Sequence, residues 1–338
     1  LSGNLTGVNF INNGSITAIM SGSSGHSKGY GIYNLAIMGN MTNKGIISGY
    51  GSGDGTGSAS GAGFGIYNYL RNNNIGNIEN IGIISGYGNA IFSNGTGYGI
   101  YNAAPMGNVT NKGIISGYGY GSDEGWGIYN NPGTMSIINT GVISGTSFSA
   151  GYGINNSDKM ESITNKGIIS GSITSFASRY GYGIYNLSGK IGNITNKGVI
   201  SGTGDGYGIA NATITNDVGE IEVITNTGII YGKDNAISDE DGNIGTSNNY
   251  GILANGKDEK EVVNGTINEN KGLIFKVVGE IYKAAAEDYG KFGQTYVDEN
   301  IVIDYQKDDT GKPDLKRPIT KKYTIINAKA EGTEDDIT

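Results

Sequence analysis

The 338-residue chain has no cysteine, one histidine, one tryptophan and four prolines. Without cysteine, neither a disulfide framework nor a thiolate metal site can form. The lone His26 sits among Ser and Gly with no evident carboxylate companion, which argues against a Ser-His-Asp arrangement. No apolar run approaches the ~20 residues that cross a bilayer as a helix. Positive charge is scarce: 23 Lys and Arg against 31 Asp and Glu give a net charge of −8. Such a surface repels phosphate, so nucleic acid and anionic membrane are poor partners. The acids of residues 1–230 are scattered, whereas polysaccharide lyases and hydrolases need several convergent charged groups. We therefore expect no enzyme and no cofactor.

What the chain has in abundance is glycine, with 61 residues. No G-X-Y triplet runs through it, so collagen is excluded. The glycines are uneven: residues 1–256 hold 54 of them and 257–338 only seven, while the latter stretch carries 30 of the 54 charged side chains. This shift marks a boundary near residue 257.

Two phrases recur. The first, Gly-aromatic-Gly-Ile-Tyr-Asn, places its isoleucine at Ile32, Ile66, Ile100, Ile128, Ile154, Ile184, Ile209 and Ile252. The second, Asn-Lys-Gly-Ile-Ile-Ser-Gly, begins at Asn43, Asn80, Asn111, Asn139, Asn165, Asn196, Asn226 and Asn270. The isoleucines repeat every 25 to 34 residues, and once after 43. That period means stacked coils rather than a globule.

In the copy 97–121, three short runs read as strands: Tyr98–Tyr101, Met106–Thr110 and Gly113–Ser116, separated by Asn and Gly turns. Strands this short gain stability only by pairing with their own repeats above and below, at about 4.8 Å. The expected fold is all-β, a right-handed parallel β-helix of about 8–10 coils with three short strands per coil. Left-handed β-helices use regular coils of about 18 residues, shorter than any here. By alternation, Tyr98 and Ile100 share the interior and Tyr101 points out. The expected organisation is a solenoid over 1–276 and a C-terminal capping or oligomerising segment over 277–338. In that segment Val278–Tyr289 reads as a helix, and Thr295–Tyr305 and Lys322–Ala328 as strands around a charged Gln306–Pro318 turn region.

The spacing from Ile to the following Asn is nearly constant, while the spacing after Ile-Ser-Gly varies. The variable loops are Tyr50–Ala62, Tyr87–Thr96, Tyr118–Glu124, Thr146–Ala150, Ser172–Arg179 and Lys233–Asn249. Loop variation along one edge suits a binding face, and the Gly/Ser/Tyr/Asn mixture is that of protein-binding paratopes. Phe92, Phe148 and Phe176, with Arg179 and Tyr180, are the candidate partner-binding residues; each phenylalanine could instead close its own loop. Asp239 and Asp241 are candidate calcium ligands in Asp239-Glu240-Asp241-Gly242-Asn243, against which stands a solvated acidic loop.

The phrases Ile-Thr-Asn-Lys-Gly-Ile-Ile-Ser-Gly at 163–171 and Gly-Tyr-Gly-Ile-Tyr-Asn at 181–186 resemble the passenger repeats of type V secreted (autotransporter) adhesins, those of fusobacteria in particular. The resemblance spans about residues 7–276. It implies a bacterial cell-surface protein of the outer membrane, with the passenger exposed outside and a homotrimer among its allowed assemblies. It also implies a host immunoglobulin-like glycoprotein, such as a CEACAM, as partner in attachment and immune evasion. Leu1 is neither an initiator Met nor the start of a signal peptide, which fits a passenger fragment. A carbohydrate-active β-helix enzyme and a structural stalk are the competing readings.

Overall fold

The computed structural model describes residues 7–22, 26–53, 60–69, 74–90, 95–121, 124–174, 179–212, 218–240, 243–256, 262–276, 302–307, 313–320 and 324–325. The chain is a right-handed parallel β-helix, all-β over the described residues. Its first sheet has ten strands, from Phe10–Asn12 to Glu269–Asn270. The second has ten parallel strands from Ser15–Gly22 to Leu273–Lys276, and Thr324–Ile325 adds an eleventh, antiparallel to the last coil. The third has nine, from His26–Asn34 to Val263–Asn264.

Each coil runs third sheet, first sheet, second sheet. The copy read above supplies Gly95–Asn102, Asn108–Asn111 and Ile114–Tyr120. All three sheets send aliphatic side chains into a shared core: in this coil Ile100, Val109 and Ile115 are all 0% exposed. Isoleucine and valine suit this lattice because β-branching restricts χ1 to rotamers that pack on a pleated surface.

Two corners are built from asparagine. One ladder runs from Asn12 through Asn43, Asn80 and Asn111 to Asn270, each Nδ2 donating to the next Oδ1, as at Asn111–Asn139 (2.8 Å). The other runs from Asn34 to Asn211. An amide both donates and accepts, so identical side chains can satisfy one another at the coil spacing inside a dry corner.

The third corner is drawn out into a thin fin. The second-sheet strand continues as Gly117-Tyr118-Gly119 and the third begins Gly95-Thr96-Gly97, with every glycine facing inward. A Cβ on Gly117 would overlap the Trp126 and Gly97 carbonyl oxygens, and one on Gly97 the Tyr118 carbonyl. The two sheets therefore meet backbone to backbone, closer than the ~10 Å that side chains normally impose.

The structure corrects four sequence readings. Tyr98 does not share the interior with Ile100. Gly99 and Ile100 both face inward, which breaks alternation and leaves Tyr98 outside beside Tyr101, ring centroids 5.2 Å apart. Ile252 pairs with Ile229 in the second sheet, and the third-sheet copy is Ile237, paired with Ile209. A further coil is thus present, and the 43-residue gap disappears; Tyr250-Gly251-Ile252 imitates the other phrase by coincidence of composition. Lys233–Asn249 is accordingly no loop, since it holds the strands Ile237–Asp239 and Ile244–Asn249. Finally, Pro313–Thr320 is a strand antiparallel to Val302–Lys307, not part of a turn. Val278–Tyr289 lies outside the described residues.

Candidate functional site

The outer faces of the fin carry the aromatic residues. On the third-sheet side, one column stacks Tyr30, Phe64, Tyr98, Trp126, Tyr152, Tyr182 and Tyr207, with neighbouring centroids 4.4 to 5.9 Å apart. A second column beside it holds Tyr33, Tyr67, Tyr101 and Tyr129 at 4.7 to 5.3 Å, skips a ring at Asn155, and resumes at Tyr185. The second-sheet side carries a shorter column of Tyr50, Tyr87 and Tyr118. It ends where Thr146 and Ser172 replace the rings with a hydroxyl pair (2.8 Å). Trp126 and Tyr152 form a cluster of their own with the neighbouring tyrosines, apart from the aliphatic core.

Packing alters the phenols. Burial, with its neighbour Tyr129, pushes Tyr101 up to about 12. Burial, then the carboxylates of Glu240 and Glu124, pushes Tyr185 up to about 12. Tyr152 and Tyr182 are raised further, chiefly by burial. These rings stay neutral at any physiological pH and offer hydroxyls and flat apolar faces. Two buried polar atoms beside them have no hydrogen-bond partner, Trp126 Nε1 and Asn155 Oδ1.

At the fin tip the structure brings three candidate residues together. The Arg179 guanidinium lies 5.2 Å above the Phe148 ring, a cation–π contact between neighbouring coils. Tyr180 follows Arg179 and packs tilted against Tyr182 at 6.0 Å. Phe148 is 42% and Tyr180 46% exposed, so both are available to a partner. Phe92 and Phe176 lie outside the described residues. Five of the second-to-third-sheet connections start from this edge, between Gly53 and Ser60, Ala90 and Gly95, Tyr120 and Glu124, Ser147 and Ala150, and Ile173 and Tyr180. The Gly-Tyr-Gly stretches that flank them are strand.

Asp239 is not in a solvated acidic loop. It is 7% exposed and occupies the asparagine ladder, where Oδ1 accepts from Asn211 Nδ2 (3.0 Å) and the Asn243 N–H (3.1 Å). Its Oδ2 accepts from the Ile244 N–H (3.0 Å). Both carboxylate oxygens are thus engaged by the backbone and the ladder. Asp241 lies outside the described residues, and among the described residues no three His, Cys, Asp or Glu gather as a metal set. His26 Nδ1 is hydrogen-bonded to the Ser60 hydroxyl on the next coil, with which it is in strand register.

Sequence reasoning missed the fin. Its signal was present as glycine at every second position through Ser-Gly-Tyr-Gly and Gly-Tyr-Gly, which marks one face of a strand as empty. No protein family, curated protein or solved structure matches the chain.

Proposed function

We propose that the protein is a non-catalytic cell-surface adhesin that docks a host immunoglobulin-like glycoprotein, such as a CEACAM, on the fin. The supporting observation is an aromatic face that leads to one tip, where Phe148, Arg179 and Tyr180 converge. Rigid tyrosines give large contact area at low entropic cost, and Gly, Ser and Asn at the tip adapt hydrogen bonds to the partner. Anchors of aromatic and arginine type are those that dominate interface energies. The coils hold this face in fixed register, so loops may diverge without disturbing the core.

The test is surface plasmon resonance of the chain against a panel of host ectodomains. Binding of at least one receptor is expected, weakened tenfold or more by Phe148→Ser combined with Tyr180→Ser. Absence of any binding, together with cleavage of a polysaccharide, sinks this reading in favour of a carbohydrate-active enzyme.

A further inference from the structure

The second aromatic column has a vacancy. Asn155 stands in strand register between Tyr129 below and Tyr185 above, the one position from Tyr33 to Tyr185 without a phenol. Elsewhere in that column consecutive rings lie 4.7 to 5.3 Å apart. Two strand spacings separate Tyr129 from Tyr185, on the order of 10 Å. That backbone spacing leaves room for one flat group once both rings stand parallel in the column.

The floor of the gap is polar and unsatisfied. Asn155 is 5% exposed, yet its Oδ1 accepts no hydrogen bond. Buried acceptors of this kind are rare and call for a donor. The walls are aromatic: Tyr185 leans onto Tyr152 at 5.6 Å, and Tyr129 onto Trp126 at 5.5 Å. The surroundings are negative. Glu124 is hydrogen-bonded to the Tyr152 hydroxyl, and Glu124 and Glu240 both act on the Tyr185 phenol.

A group that fills such a slot must be flat, must donate rather than accept, and gains from positive charge. A guanidinium meets all three conditions: it is planar, carries five N–H donors and no acceptor, and stacks on aromatic faces. An ammonium is compact and strongly hydrated, and a neutral ring leaves the carboxylates unanswered.

We propose that the Asn155 slot takes the guanidinium of an arginine side chain presented by the protein partner, sandwiched between Tyr129 and Tyr185 and donating to Asn155 Oδ1. Asn155 is 5% exposed in the free protein, so the side chains around it part to admit the guanidinium. This inference rests on the reading of the fin as the docking face, and it names the partner chemistry at one point of that face.

Trp126 is the one tryptophan of the chain and packs against Tyr129, so its fluorescence reports on the slot. The full chain is titrated with N-acetyl-arginine amide, and in parallel with N-acetyl-lysine amide and methyl glucopyranoside. A saturable change with the arginine compound is expected, at least tenfold weaker with the lysine compound and absent with the glucoside. Asn155→Tyr completes the column and should abolish the response while circular dichroism stays unchanged. As Asn155→Leu keeps the gap but removes the acceptor, it should weaken binding severalfold. Equal responses to arginine and lysine, a saturable response to the glucoside, or full arginine binding by Asn155→Tyr overturns the proposal. Receptor binding that is equal for wild type and Asn155→Tyr overturns the slot and leaves the docking face standing. Arginine binding without any receptor supports the slot and removes the docking face.

Discussion

Two small residue types set the shape of this protein, and each does so through what its side chain permits. Asn139 is fully buried; its Nδ2 donates to Asn165 Oδ1 (2.8 Å) and the Ile168 carbonyl (2.9 Å), while its Oδ1 accepts from Asn111 (2.8 Å). Asn139→Ala strands buried groups on both neighbouring coils at about 1–3 kcal/mol each, so a loss of at least about 2 kcal/mol is expected in thermal or denaturant unfolding. Gly117 works by absence. Gly117→Ala forces the two sheets of the fin apart and should cost about 1–3 kcal/mol, as overpacking does. Gly14→Ala is the control, because a Cβ there meets nothing within 4 Å, and its effect should stay within about 0.5 kcal/mol. Equal melting temperatures for the two glycine variants would rule out the backbone-to-backbone fin.

At the scale of the element, the aromatic columns make stability depend on alkaline pH. Burial raises Tyr101 and Tyr185 to about 12, above the ordinary phenol value near 10. The folded state therefore holds its phenolic protons more tightly than the unfolded chain. The stability these groups contribute is fully present below pH 10 and is lost as pH rises from there through about 12. Absorbance of phenolate near 295 nm should show these rings titrating late, with loss of β structure over the same pH window. Titration of all tyrosines near pH 10, with no structural change, would refute the packing described. The asparagine ladders make no comparable demand, because amides do not titrate. The third-sheet ladder stops at Asp239, whose side chain accepts from Asn211 and from two backbone N–H groups but has no N–H of its own to pass to another coil.

For the whole molecule, a stack in which each coil touches its neighbours frays from its ends. The first described coil leaves its inward Ile16 only partly buried, whereas the equivalent Ile47, Ile84 and Ile115 of the following coils are fully buried. At the other end Thr324–Ile325 pairs with Leu273–Lys276 and closes an edge that would otherwise present unpaired backbone. Hydrogen exchange should accordingly be slowest across Ile114–Tyr120 and Val142–Ser147 and fastest in Ser15–Gly22. Uniform protection from end to end would mean a single cooperative unit instead of a graded stack. The same one-dimensional design explains why the chain length between a second-sheet strand and the following third-sheet strand varies while the pairing of one coil with the next is kept.

The sequence by itself determined the coil, its three sheets and its isoleucine core, because a phrase repeated at every turn makes each strand pair with its own copy. It also marked Phe148, Arg179 and Tyr180, since residues that interrupt a repeat stand out against it. Only the tertiary structure decided where the inside ends. Gly99 has no side chain to show its direction, so the inward step that turns Tyr98 outward left no trace in the alternation. The coil around Ile237 and Asn249 was hidden for a related reason: its identity lies in backbone pairing with Ile209 and Asn226, and its letters had drifted from both phrases. The contact of Arg179 with Phe148, and the vacancy that Asn155 leaves between Tyr129 and Tyr185, join residues of neighbouring coils. Such contacts depend on the register of the stack, which backbone hydrogen bonds set and no single coil contains.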